Sequence, residues 1–285
     1  MPTTEYHKQI VQYYRDTENA YKDSWDLNNS LAIHYGYWDK KVSSFSQSLL
    51  RMNEVMMEEA NITPGDNILD AGCGVGGSSI YLAQRIGCTV TGITLSQRQA
   101  ELAQSNATTK KVNDKVSFSV MDYCKTTFPD ASFDVVWGCE SICYADDKDQ
   151  FVKEAFRLLK PGGRLVVADG FVTDFKNNNN TIVRDWLDGW QVNYLETPTN
   201  FAEFMRKAGF TEPGYRDISK EVFHSSKRLN RLYYLASTYV KWMKLTSSRR
   251  PTPHQLGNIR ACRCQYLALK KGLWQYGLMT GKKPR

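Results

Sequence analysis

The chain has 285 residues, enough for one elaborated α/β domain or a domain with a cap, and its 41% hydrophobic content can build a core. No apolar run reaches membrane-spanning length and no signal-peptide pattern opens the chain, so the expectation is a cytoplasmic protein. The net charge of +7 hides a split: residues 220–285 carry fifteen Lys or Arg and one acid, Glu221, against a net negative remainder, which speaks of partners rather than of fold.

The chain opens with a helical pattern over residues 5–21, with Tyr6, Ile10, Tyr13, Tyr14 and Tyr21 near one side. Trp25-Asp-Leu27 and His34-Tyr-Gly-Tyr-Trp-Asp39 continue this aromatic lead-in. An aromatic face of this kind packs on a domain, and it can also cover a cation. Residues 52–60 read as a further helix, ending at the Thr63-Pro-Gly-Asp66 turn.

Strands and helices then alternate. Strands are expected at 67–71, 88–94, 116–121, 133–138 and 164–169, and helices at 78–85, 96–108 and 148–159. That alternation implies a doubly wound, mainly parallel α/β sheet with ligands at the strands' C-terminal ends. Residues 170–197 read as a connection with Asn177-Asn-Asn-Asn180 as a flexible surface loop at its tip. A helix at 199–208 and a strand from 209 to about 218 follow. Residues 225–246 and 255–271 are long helical stretches around the Arg249-Arg-Pro-Thr-Pro253 break, and 274–281 is the last strand. The expected division is a helical lid (1–60), an α/β core (61–219), a helical cap (220–272) and the core's last strand (273–285).

Seven cysteines (73, 88, 124, 139, 143, 262 and 264) form no CxxC pair, and several lie in expected strands. They read as reduced thiols, and no metal-ligand spacing is present.

The most informative stretch is Asn67-Ile-Leu-Asp-Ala-Gly-Cys-Gly-Val-Gly-Gly-Ser-Ser79. A short strand reaches Asp70, glycines follow at 72, 74, 76 and 77, and a helix begins. Glycines let a ligand approach the backbone, and the helix offers unpaired N–H groups. The spacing fits G-x-G-x-x-G, yet an acid before the first glycine would repel a pyrophosphate and can hold an ammonium.

Asp70-Ala-Gly-Cys-Gly-Val-Gly76 resembles motif I of the class I S-adenosylmethionine (SAM)-dependent methyltransferases. Phe133-Asp-Val-Val-Trp137 and Leu158-Leu-Lys-Pro-Gly-Gly163 complete the pattern over roughly residues 60–170. The resemblance implies a Rossmann-like seven-stranded sheet, SAM as cofactor, and Asp70, Gly72, Gly74 and Gly76 around it. The second strand normally ends in an acid for the ribose; here Thr94-Leu95 stands instead. Gly92-Ile-Thr-Leu-Ser-Gln-Arg-Gln99 is similar to the tocopherol methyltransferase and cyclopropane-fatty-acid synthase branches, which carries the ribose contact to Gln99. Met121-Asp122-Tyr123 resembles the adenine-contacting motif.

Glu140, in Gly138-Cys-Glu-Ser141, follows the fourth strand, where this class joins cofactor and acceptor; it is the catalytic candidate, with His34 beside it. A salt-bridged or solvated acid is the alternative for Glu140, and a structural histidine for His34. The lead-in also resembles tocopherol, sterol and prenyl C-methyltransferases and related small-molecule N-methyltransferases. Tyr35, Trp38 and His224 are expected at the acceptor. Arg228, Arg231, Arg260 and Arg263 are expected to form two i,i+3 faces for an anionic acceptor or membrane, unless the acidic remainder pairs with them.

The expected reaction is methyl transfer to a small, largely apolar molecule, neutral or anionic, with C-methylation favoured and N-methylation of an amine as the alternative. A nucleic-acid-modifying enzyme and a silent SAM-binding protein are the remaining readings. The chain shows no RNA-binding module, so a small-molecule acceptor and no nucleic acid are the expected partners. Peripheral contact with an anionic membrane and self-association stay open.

Overall fold

In the computed structural model, which describes residues 4–25, 27–246 and 250–285, seven strands form one sheet. They are β1 (Asn67–Ala71), β2 (Thr89–Thr94), β3 (Val116–Val120), β4 (Phe133–Cys139), β5 (Leu159–Val172), β6 (Thr211–Asp217) and β7 (Trp274–Lys282). Their spatial order is β3-β2-β1-β4-β5-β7-β6. The first five are parallel, and β7 runs antiparallel between β5 and β6. This is the expected doubly wound, mainly parallel seven-stranded sheet.

Ten helices accompany it among the described residues: α1 (Glu5–Ser24), α2 (Leu27–Ser30), α3 (Phe45–Glu59), α4 (Gly77–Ile86), α5 (Gln97–Thr109), α6 (Lys148–Leu158), α7 (Thr181–Gly189), α8 (Pro198–Ala208), α9 (Ser219–Thr246) and α10 (Pro253–Lys270). Successive strand residues point to opposite faces, so each strand serves two cores. Ile68, Val135 and Val166 join Leu49 and Met52 of α3, Ile80 of α4 and Ala261 of α10. Their neighbours Leu69, Val136 and Val167 join Phe151 of α6 and Phe201 and Met205 of α8.

The chain leaves β1 for β2 and β3 on one side, then returns to β4 on the other. That reversal opens a crevice at the C-terminal ends of β1 and β4, where Asp70 and Glu140 stand. Helix α1 lines this crevice through Ile10 and Tyr14 and packs on α10.

Residues 170–197 differ from the expected loop. Strand β5 runs on to Val172, a 3-10 turn spans Phe175–Asn179, and α7 follows. The asparagine run is a fastener. Asn180 caps α7 by accepting from the Ile182 N–H at 3.0 Å. Buried Asn178 donates to the Leu195 carbonyl and accepts from its N–H, both at 2.9 Å. Short polar side chains that bond their own backbone suit caps as well as loops, and here the cap won. Helix α7 then lies against α10 so closely that a Cβ on Gly189 would sit 2.4 Å from the Gly257 carbonyl.

Two helices start earlier than expected. Ser44 caps α3 by accepting from the Gln47 N–H, and α9 begins at Ser219. The Pro161-Gly162-Gly163 turn lies inside β5, where the register against β4 shifts. Of the expected landmarks, Asp26 and Arg249 lie outside the described residues. Thr252 and Gln255 form a capping box that starts α10 after the break.

Candidate active site

Asp70, next to the last residue of β1, has its carboxylate buried. The Ser79 hydroxyl donates to it at 2.6 Å. Burial pushes the carboxyl up to about 6, with Ser79 pulling the other way. Gly72 and Gly74 follow at φ +90° and +53°, the left-handed region that favours glycine. A Cβ on Gly72 would meet the Ser141 Cβ at 2.3 Å, whereas one on Gly74 would meet nothing within 4 Å. Gly72 is therefore needed for packing, and Gly74 keeps a backbone face open.

At the end of β2 the Thr94 hydroxyl donates to the Gln99 side-chain oxygen at 2.7 Å. That bond orients the amide and leaves its NH2 as a donor. The Tyr123 hydroxyl donates to the Ser141 carbonyl at 2.7 Å.

These residues line one cavity of about 880 Å³. Asp70, Gly72, Gly74, Thr94, Leu95, Gln99, Tyr123, His34 and Glu140 all contribute, as do Ile10 and Tyr14 of the lid. Two expected cofactor residues lie elsewhere. Gly76 packs under the turn, where a Cβ would meet Phe118 at 2.9 Å and Ala103 at 3.1 Å. Asp122 does not line the cavity; its carboxylate accepts from the Cys124 N–H at 2.8 Å, a turn-capping bond.

A second cavity, about 600 Å³, adjoins the first and shares Tyr14, Ile33, Glu140 and Tyr144 with it. Its walls are aromatic: Tyr21, Trp25, Trp186, Trp190, Trp274 and Tyr276 stand around it with Tyr35. Glu140 belongs to both cavities. Its backbone adopts φ +49°, unusual for a residue with a side chain. One carboxylate oxygen accepts from the Tyr276 hydroxyl at 2.7 Å and from the Tyr35 N–H. Burial pushes this carboxyl well above the usual range; the two hydrogen bonds oppose that, and nearby Asp169 adds to it.

Asp169, three residues before the end of β5, also faces the aromatic chamber. It accepts from the N–H groups of Cys143 (2.9 Å) and Gly170 (2.8 Å). Burial raises it to about 6. The segment between Glu140 and Asp147 is held by Lys148, whose ammonium donates to the carbonyls of Cys143 and Ala145 at 2.9 Å and of Tyr194 at 3.0 Å. Burial pulls that ammonium down to about 8.

His34 is buried in the wall of the first cavity. Its Nδ1 lies 2.9 Å from the Tyr35 carbonyl, which can only accept, so Nδ1 carries the proton. Nε2 is left as an acceptor with no partner among the described residues. Burial lowers the imidazole to about 4, so it is neutral at ordinary pH.

The expected cap residues are not at the chamber. Trp38 and His224 stack on each other with ring centroids 4.0 Å apart, and the Trp38 indole donates to Ser225. Arg228 lies over the Phe45 ring at 3.9 Å, Arg260 stands 3.4 Å from Asp185, and Arg263 lies over Tyr233 at 5.3 Å. Arg231 is exposed. None of the four lines either cavity, because α9 and α10 turn Leu229, Leu232, Ile259 and Cys262 inward instead.

Sequence reading singled out Trp25 in the aromatic lead-in but missed Trp186, Trp190, Trp274 and Asp169. A signal existed: Trp186 and Trp190 are four residues apart, a helical spacing, and Asp169 closes the strand expected at 164–169.

Known proteins are similar to this chain in sequence and in fold. Residues 69–167 match the family described as "Methyltransferase domain". Methyltransferase GfsG of Streptomyces halstedii is 30% identical over 219 residues, covering 76% of this chain and 77% of that protein. A tocopherol O-methyltransferase of Arabidopsis thaliana is 27% identical over 301 residues, covering 97% and 82%. In fold, the chain is similar to a geranyl diphosphate C-methyltransferase of Streptomyces coelicolor, solved with S-adenosyl-L-homocysteine (TM-score 0.77, 22% identity, 99% of each chain). The chain belongs to the class I SAM-dependent methyltransferases that act on small molecules.

Proposed function

We propose that the chain transfers the methyl of SAM to a small, largely apolar acceptor in the aromatic chamber, and that Glu140 takes the proton the acceptor gives up. The observation that carries this reading is the place of Glu140 on the wall common to both cavities.

The residues of the first cavity fit SAM. A buried carboxylate raised to about 6 lacks a cation, and Asp70 would hold the cofactor's ammonium there. The Gln99 NH2 is aimed and unspent, and would bond the ribose. The open face of Gly74 admits a ligand against the backbone. SAM supplies an electrophilic methyl group on a positively charged sulfur.

The chain's own contribution is to align, dehydrate and receive a proton. Tyr14 and Tyr144 stand in both cavities, where their rings screen positive charge from water. In C-methylation the acceptor becomes cationic before it loses its proton. Aromatic walls lower that cation's energy, and the Glu140 carboxylate, held by Tyr276, is the nearby base. N-methylation is the second reading. It is favoured by one observation, the pair of carboxylates, Glu140 and Asp169, facing one chamber, which suits an amine.

The cap's surplus of positive charge suits an anionic lipid surface better than an anionic acceptor, since its arginines stand away from the chamber. A reducing, cytoplasmic setting goes with this reading, because Cys73, Cys139 and Cys143 line the cavities as thiols.

The test is to incubate the purified chain with methyl-labelled SAM and panels of phenols, electron-rich alkenes and amines, and to locate the label by mass spectrometry. Glu140→Gln is expected to slow turnover by roughly 10²–10⁴-fold with SAM affinity kept. Wild-type turnover should rise with pH as the raised carboxyl loses its proton, and the Gln variant should lose that limb. Equal turnover in the two proteins would remove Glu140 from the reaction.

A further inference from the structure

Helix α9 is 28 residues long, about 42 Å, yet its buried residues all lie in the first eleven positions: Val222, Ser225, Ser226 and Leu229. Beyond them its outer face carries Tyr234, Leu235, Tyr239, Trp242 and Leu245, exposed by 54, 68, 60, 58 and 87%. Leu235, Tyr239 and Trp242 follow the i, i+4, i+7 spacing of one helical stripe, with Tyr234 and Leu245 beside it. Exposed Arg231, Lys241 and Lys244 flank the same half. No Asp or Glu follows Glu221 in the whole chain, so this half of the helix carries no acid to balance them.

We propose that the outer half of α9 seats the protein on an anionic lipid bilayer.

Three observations select that occupant. Tryptophan and tyrosine have an apolar body and a polar tip, which suits the boundary between lipid and water. By helical spacing Arg231 falls on this face and Lys241 borders it, and cations so placed suit acidic headgroups. A second copy of the chain is a poor alternative, because a two-fold contact brings a patch onto itself and would set these cations against their own copies. No helix of the described residues is long and apolar enough to cross a membrane, so the contact is peripheral.

The inner face of this half of α9 gives the contact a purpose. Leu232, Tyr233 and Ala236, with Leu229, line a hollow of about 610 Å³ between α1, α9 and α10. That hollow shares Tyr21, Trp25 and Trp190 with the aromatic chamber. Docking would place a lipid surface beside an apolar approach to the chamber. This last link rests on the proposed acceptor; the docking itself does not.

The experiment is sedimentation of the whole protein with vesicles of phosphatidylcholine, alone or mixed with phosphatidylglycerol, at low and high salt. Binding is expected to the mixed vesicles and to weaken with salt. The double change Arg231→Ala and Lys241→Ala should weaken it roughly twenty-five-fold, at about fivefold per cation. Trp242→Ser with Leu245→Ser should also release the protein, at either salt concentration. Both variants change exposed groups, and SAM titration calorimetry reports whether each is folded. No binding to either vesicle by the wild type overturns the proposal. So does equal, salt-independent binding to both vesicles. A wild-type dimer in sedimentation equilibrium that the same variants disperse assigns the face to a second copy and also overturns it. Failure of methyl transfer with vesicle binding intact would count against the acceptor reading alone.

Discussion

Asp70 sits in a fold that, without a cation beside it, resists its ionisation. The carboxyl is 2% exposed and is pushed by burial from 3.8 up to about 6. At about 1.4 kcal/mol per unit, keeping the carboxylate charged at neutral pH costs the ligand-free protein about 3 kcal/mol. Asp70→Asn removes that cost, and the new side-chain oxygen can still accept from Ser79. The gain is an upper bound, since the added NH2 must be accommodated. With an unfolding entropy of about 2.1 cal/mol/K per residue, it corresponds to a rise of up to roughly 5 °C in the Tm of the ligand-free chain.

The sign of the pH dependence follows from the direction of the shift. The folded form holds its proton more tightly than the unfolded one. Wild-type stability from this group is therefore full below the unfolded value near 4, and is lost as pH rises through about 6. The advantage of the Asn variant should be absent near pH 4 and complete by about pH 7. Bound SAM should shrink or cancel that advantage, because the variant loses a charge-assisted bond to its ammonium, worth roughly 1.5–3 kcal/mol, or about ten- to a hundredfold in affinity. Scanning calorimetry at the two pH values, with and without SAM, reads both effects. A ligand-free variant no more stable than wild type at neutral pH, together with unchanged SAM affinity, would refute the reasoning.

Gln99→Ala should weaken SAM by roughly 0.5–1.5 kcal/mol, the net value of an ordinary hydrogen bond, as measured by titration calorimetry; undiminished affinity would return Gln99 to a surface role. Gly74→Ala and Gly72→Ala should separate. At Gly74 the Cβ meets no protein atom within 4 Å, so the cost in Tm is the left-handed strain of roughly 1–2 kcal/mol while SAM binding drops. At Gly72 the Cβ meets Ser141 at 2.3 Å, so unfolding should come distinctly earlier. Equal thermal losses would show that the turn does not divide its work this way.

The sheet and the cofactor turn were legible because their causes are local. A run such as Asn67–Ala71 followed by spaced glycines has few backbone solutions, and the alternation of strand and helix patterns leaves little choice of sheet. The aromatic lead-in was legible for the same reason, since Tyr14 and Tyr21 already share a helix.

What the sequence by itself could not decide was which side chains from distant elements would meet. The chamber takes Tyr14 from α1, Glu140 after β4, Asp169 from β5, Trp186 from α7 and Tyr276 from β7. No local pattern records that meeting; it depends on α7 folding at all and then packing on α10 through Gly189 and Gly257. The cap's arginines show the converse. Their spacing suggested faces, but a face acquires a neighbour only when the helix is placed. Burial of Leu229 and Ala261 rotated Arg228 onto Phe45 and Arg260 toward Asp185, away from the chamber. Local backbone chemistry wrote the cofactor turn into the sequence, while the acceptor chamber exists only because apolar burial brought five separate elements together.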